Sequence, residues 1–183
     1  DRAVQAGKVR YVGCSNESAY GLTKSLWASD RAGLVRHETI QNNFSLLNRR
    51  FEDELANVCR REKLSLLAYS PLAGGMLSGK YLGGVRPPNT RFALFEQLGG
   101  RFRKPLVAEA IDAYAALARE RGTSLAQLAL GYVKSRWYLG ATIIGATTMA
   151  QLEENIAAGQ FELDGPTLAD IAALQIRYPN PAG

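Results

Sequence analysis

The sequence predicts an α/β protein built on a parallel sheet with crossover helices. Three observations carry that prediction. Four short β-branched or apolar runs are each followed by a helix-period pattern, and this alternation is the signature of βαβ units. No internal repeat or low-complexity tract competes with that organisation. Each run also ends in polar or glycine-rich residues, Ser15-Asn16, Gln41-Asn42, Tyr69-Ser70 and Gly145 to Thr147. Parallel α/β architectures bind ligands at the carboxyl ends of their strands. At 183 residues the chain is read as one domain, long enough to bury a sizeable core.

The elements follow in order. Residues 8–14, KVRYVGC, alternate and read as a strand. A helix follows from about Ser18 to Arg31, with Leu22, Leu26 and Trp27 on its apolar side, and Gly33 stops it. Residues 38–42, ETIQN, form a shorter strand. Asn48 resembles the N-cap of a helix with Phe51, Leu55, Val58 and Cys59 on its inner face. Leu64 to Tyr69 is the third strand, and it delivers the loop Ser70 to Lys80. Leu82 to Lys104 reads as irregular, and at that length a functional role is expected. Pro105 stands where a helix can open, with Val107, Ile111, Tyr114 and Leu117 as its buried stripe. Ser124 caps the next helix, whose Leu125, Leu128, Ala129 and Tyr132 face inward. A fourth strand at 141–145 leads into a helix from about Met149 to Ala158, and Pro166 starts a last one.

Composition excludes several classes. No run of eighteen apolar residues suits a membrane span, and the start is not of signal-peptide type, so a cytoplasmic protein is expected. The opening at Asp1 without a methionine reads as a partial sequence. Cys14 and Cys59 form no disulfide framework and have no metal-ligand spacing, and reduced thiols are expected. The net charge of +5 comes from basic residues spread along the chain without aromatic interleaving, so nucleic acid is not an expected partner. His37 is the only histidine and lies in a polar turn before the second strand, at the wrong end for chemistry. A histidine triad or a His-rich metal site is excluded by count.

Two motifs remain. Gly74 to Lys80 fits G-x-x-x-x-G-K, but Tyr81 stands where a Walker A loop has Ser or Thr for magnesium. Leu82-Gly83-Gly84 and the prolines beyond forbid the helix such a loop should enter, so nucleotide hydrolysis is rejected. The fingerprint G-x-G-x-x-G of dinucleotide-binding doubly wound folds is absent as well. A small-residue loop with one lysine still suits a phosphate, although a plain structural turn fits the same residues. Gly145 to Thr148 enters a helix carrying Gln151, Glu154 and Asn155 on one face. That face could grip a purine or a ribose phosphate, or be a threonine N-cap with a solvated polar side.

Taken together, residues 7–16 (GKVRYVGCSN), 39–49 (TIQNNFSLLNR), 66–81 (LLAYSPLAGGMLSGKY) and 142–156 (TIIGATTMAQLEENI) resemble the aldo-keto reductases, in particular their Tas-like, NADP-dependent branch. The resemblance implies the second half, strands 5 to 8, of a (β/α)8 TIM barrel with additional carboxyl-terminal helices, and residues 1–183 as a partial reductase domain. It also implies NADP(H) as cofactor and a small aldehyde or ketone as substrate. Ser15, Asn16 and Gln41 match positions that hydrogen-bond the nicotinamide carboxamide, and Tyr69 matches the ring that stacks on it. Ser70, Leu72, Gly74 and Lys80 fall where the family wraps the pyrophosphate, with Arg91 as a further phosphate contact. Gly145, Thr147, Gln151, Glu154 and Asn155 fall where it holds the adenosine and its 2′-phosphate. Many relatives carry lysine and arginine at positions 145 and 151, where this chain has glycine and glutamine, so the preference for NADP over NAD is less firmly implied. The family's catalytic Asp, Tyr, Lys and His lie on the first half of the barrel, and no catalytic or metal-binding residue is expected here. Trp27, Phe44 and the 82–104 loop are expected to wall the substrate. A half-barrel would expose two strand edges, through which self-association, or a non-catalytic nucleotide-binding module, is the alternative expectation.

Overall fold

A computed structural model describes residues 1–183. The strands are β1 (Val12–Ser15), β2 (His37–Asn43), β3 (Ser65–Tyr69) and β4 (Leu139–Ile143). The α-helices are α1 (Arg2–Gln5), α2 (Ala19–Ala32), α3 (Leu55–Glu62), α4 (Arg91–Leu94), α5 (Val107–Glu120), α6 (Leu125–Lys134), α7 (Met149–Ala158) and α8 (Gly165–Arg177). The sheet order is β1-β2-β3-β4 and every neighbouring pair is parallel. Each strand therefore lies beside its predecessor, and the order never reverses. Such single winding is the topology of a barrel and not of a doubly wound sheet. The fold is α/β, with four strands and their helices corresponding to half of a (β/α)8 barrel. The outer edges of β1 and β4 have no strand beside them.

Strand periodicity divides the sheet into two faces. Ile40, Leu66 and Ala68 are fully buried and face the helices. Their core partners include Leu22 and Leu26 of α2, Cys59 of α3, Tyr114 of α5, Leu128 of α6 and Ile171 of α8. Complete burial of one such leucine stabilises the fold by roughly 1.5–3 kcal/mol. The opposite face is open, and the register sets its rows. Ser15 pairs with Gln41, Gln41 with Leu67, and Leu67 with Ala141; in the next row Asn43 pairs with Tyr69, and Tyr69 with Ile143.

Helix ends follow local chemistry. Ser18 Oγ accepts from Gly21 N at 3.0 Å, Thr148 Oγ1 from Gln151 N at 3.3 Å, and Asp164 Oδ1 from Thr167 N at 2.8 Å. Ser124 and Gln127 complete a reciprocal capping box on α6.

Several sequence expectations shift. β1 begins four residues later than expected, and β4 lies two residues earlier, at Leu139–Ile143. Asn48 does not cap α3. Ser45 and Asn48 close a tight turn through paired backbone bonds, Phe51 occupies a 3-10 turn at Arg50–Glu52, and the helix starts only at Leu55. Pro105 does not open α5; Leu106, left-handed at φ 67, redirects the chain, and the helix begins at Val107. The 82–104 segment is not structureless, since it holds 3-10 turns at Leu82–Gly84 and Glu96–Arg103 and the short α4. His37 is the first residue of β2 rather than part of a turn, its Nε2 lying 3.0 Å from Ser25 Oγ. Trp27 lies on the exposed side of α2, where Lys24 and Arg31 cover its ring, and Phe44 is fully buried among Phe51, Tyr132 and Tyr138. Neither side chain is placed to wall a substrate.

Candidate functional site

The site grows from the carboxyl ends of β1, β2 and β3. Ser15, Gln41 and Tyr69 share the open face because strand alternation and the parallel register put them there. Asn16, the residue after β1, turns left-handed at φ 56. An asparagine tolerates that conformation better than most residues. Its backbone N–H donates to Gln41 O at 3.0 Å and to Asn42 Oδ1 at 2.9 Å. Its side chain bridges two strands: Nδ2 donates to Ser15 Oγ at 3.2 Å, and Oδ1 accepts from Tyr69 OH at 2.8 Å. Ser15 Oγ in turn donates to Gln41 O at 3.0 Å. Tyr69 is thus held by a bond that crosses β2, with its ring fixed by the hydroxyl end. The Gln41 amide takes part in none of the side-chain hydrogen bonds. The Asn43 amide nitrogen, in register with Tyr69, is buried without a partner. The edge therefore offers the free Gln41 amide beside a fixed aromatic ring.

The chain leaving β3 forms the second group. Ser70 is left-handed at φ 55, and Ala73, Gly74 and Gly75 continue on the same side at φ 51, 68 and 99. Gly74 is required by space as well as by φ: a Cβ there would stand 2.8 Å from Phe92 Cζ. A Cβ on Gly75 would stand 3.1 Å from Lys80 Nζ, so the glycine lets the ammonium lie against the turn. Lys80 also lies over the Tyr81 ring, at 5.2 Å from its centroid, and forms no ion pair with any carboxylate. An unpaired cation over a turn of small residues is ready for a phosphate group. Leu72 precedes this turn, half-buried against the core. Arg91 opens α4, exposed and without an ion pair.

The third group is the turn from β4 to α7. Thr147 donates to Gln151 Oε1 from both its N–H, at 2.9 Å, and its hydroxyl, at 3.1 Å. Asn155 is buried, and its Nδ2 donates to Gly145 O at 3.4 Å. Glu154 ties two helices together: Ser124 Oγ donates to its Oε1 at 2.7 Å and joins α7 to the start of α6. The same serine closes the α6 capping box, which the S-x-x-Q spacing makes legible, whereas the tie to Glu154 has no local signal. No hydrogen bond links this group to the other two.

Asn42, which the sequence marks only as part of the polar end of β2, fixes the Asn16 backbone amide. Burial pushes the Cys59 thiol up to about 11, with Cys14 adding to the shift, so it is an unreactive core group. Burial also raises the Cys14 thiol. No group of three His, Cys, Asp or Glu side chains is placed to hold a metal ion, and no helix is long and apolar enough to cross a membrane.

Comparison with known proteins gives a coherent set. The model of the aldo/keto reductase family matches residues 1–176. The chain is 44% identical over 178 residues to "Protein tas" of Escherichia coli (strain K12), covering 97% of this chain and 51% of that protein. It is 33% identical over 158 residues to a "Probable voltage-gated potassium channel subunit beta" of Arabidopsis thaliana, covering 85% of this chain and 48% of that one. It is 32% identical over 162 residues to "L-glyceraldehyde 3-phosphate reductase" of Escherichia coli (strain K12), covering 85% and 46%. The chain spans about half the length of the curated relatives it matches.

Proposed function

The chain belongs to the aldo/keto reductase family, and from that premise we propose that it is the NADP(H)-binding, carboxyl-terminal half of a reductase barrel that converts small aldehydes or ketones to alcohols. The observation that carries this reading is the Ser15–Asn16–Tyr69 network at the carboxyl edge of the open sheet face, beside the free Gln41 amide. Ser15, Asn16 and Gln41 hold the carboxamide of the nicotinamide, and Tyr69 supplies a platform for its ring. The turn from Ser70 through Leu72 and Gly74 to Lys80 wraps the pyrophosphate, with Arg91 adding charge. Gly145, Thr147, Gln151 and Asn155 take the adenosine end, and Glu154 supports them through Ser124.

When bound, NADPH supplies the hydride. This chain's contribution would be orientation: Tyr69, held through its hydroxyl by Asn16, would support the nicotinamide ring, and such positioning lowers the entropic cost of the transfer. The proton for the nascent alkoxide comes from the half of the barrel that carries the family's tyrosine and its Lys, His and Asp neighbours. Accordingly the 183-residue chain alone should not oxidise NADPH with carbonyl substrates, while addition of the complementary half of a family member should restore turnover. Turnover by the chain alone would overturn this division of labour.

A second reading rests on the unpaired edges of β1 and β4. Tyr11, just before β1, is exposed, and Ile143, Ile144, Met149 and Ile156 are exposed in β4 and the segment after it. A non-catalytic nucleotide-binding module dimerising through these edges would hide them. Light scattering separates the readings: a concentration-independent dimer that binds NADPH supports the module, and a monomer excludes it.

A further inference from the structure

A cleft of about 560 Å³ opens between residues 76–86, the 92–103 segment and the first turns of α5. It shares no lining residue with the Ser15–Asn16–Tyr69 network or with the turn before α7. Its size is in the range of small-molecule sites. One wall is a ladder of three rings, with Tyr81 and Phe92 centroids 5.5 Å apart and Phe92 and Phe102 centroids 5.4 Å apart. Ile111 and Ala108 form the α5 side. Tyr81 lines the cleft at 9% exposure, with its hydroxyl buried and without a hydrogen-bond partner.

The charges at the cleft select the ligand. Arg86 and Arg103 line it against a single carboxylate, Asp112. Arg103 Nη2 donates to Glu96 O at 3.0 Å, and Arg86 approaches Glu96 only at 3.9 Å, so both guanidinium groups keep free donors. The surrounding field has the same sign. Residues 80–104 hold six of the 22 basic side chains and one of the 17 acidic ones, which makes the segment +5 and leaves the remaining residues, with 16 of each, neutral. Basic residues are spread along the chain, but here their acidic counterparts are missing. A concave, apolar-walled cleft under such a field concentrates anions.

We propose that this cleft is a second ligand site, for a small organic carboxylate with an aromatic or branched apolar body. The ring ladder takes the apolar body, and Arg86 and Arg103 take the carboxylate through charge-assisted hydrogen bonds. The cleft lining contains none of the side chains named for the cofactor, although Lys80 and Arg91 contribute to the field around both sites.

The test is calorimetric titration of the 183-residue chain with 1-naphthoate. The expected result is saturable one-to-one binding that persists at saturating NADPH and in Ser15→Ala. The Arg86→Gln/Arg103→Gln double variant should bind roughly tenfold more weakly or worse, as should the neutral analogue 1-naphthalenemethanol with the unaltered chain. Ala108→Trp, at an exposed position on the α5 wall, should abolish binding by filling the cleft, and its circular dichroism reports whether the fold is kept. Absence of saturable binding, equal affinity for the neutral analogue, or binding undiminished in both variants would overturn the proposal. Displacement of the probe by NADPH would also overturn it, since the cleft would then be part of the cofactor site.

Discussion

At the scale of the residue, Asn16 is the side chain on which most depends. It joins the end of β1 to Ser15 and to Tyr69, and its own amide is received by β2. Asn16→Ala should leave folding within about 1 kcal/mol of the unaltered chain, the net worth of an ordinary hydrogen bond. It should weaken NADPH binding by roughly tenfold, because the Tyr69 ring loses its anchor. Tyr69→Phe should show a similar loss and Tyr69→Ala a larger one, all read by fluorescence titration. Gly74 carries a different burden: φ 68 and the 2.8 Å approach to Phe92 both refuse a side chain. Gly74→Ala should cost about 1–3 kcal/mol, measured by urea unfolding. Cys59 supplies a pH dependence. Its folded value of about 11 lies above the ordinary thiol value of 9.0. The unfolded chain therefore loses this proton first, so the stabilisation is complete below about pH 9 and is lost as pH rises through about 11. Urea midpoints measured across that window should fall, and Cys59→Ala should flatten the part of the fall that belongs to this thiol.

At the scale of the element, helix ends and strand registers decide what the site contains. Ser124 both caps α6 and holds Glu154 of α7. Ser124→Ala should lower stability by about 1 kcal/mol, with Glu154→Gln retaining most of the contact, as thermal unfolding will read. Legibility in the sequence followed the same physics. α7 at Met149–Ala158 and the Ser124 cap were readable because periodicity and capping chemistry are local. The start of α3 was not. Asn48 has the chemistry of a cap, but the Ser45–Asn48 turn uses its backbone, and tertiary burial of Phe51 holds the intervening residues in a 3-10 turn. The strand limits moved for a related reason: pairing partners, not β-propensity, set where β1 starts and β4 ends. Trp27 misled because an amphipathic pattern does not reveal that two cations of the same helix can cover an exposed ring. Of the site, the residue types at the strand ends were visible, while the bridge from Asn16 to Tyr69 spans 53 positions and has no local signature.

At the scale of the whole molecule, four singly wound parallel strands bury one face under helices and leave the other open, with Ser15, Gln41, Leu67 and Tyr69 on it. That arrangement is compatible with a division of two tasks in a reductase barrel. In the proposed function, the half described here would orient a dinucleotide, and the chemistry of proton transfer would belong to the half that closes over the open face. The measurement that tests this division most directly is titration of the 183-residue chain with NADPH, followed by quenching of protein fluorescence. Saturable one-to-one binding is expected, weakened in Asn16→Ala, weakened further in Tyr69→Ala, and unchanged in Trp27→Phe on the outer helix face. Absence of saturable binding, or binding indifferent to the loss of the Tyr69 ring, would contradict this division.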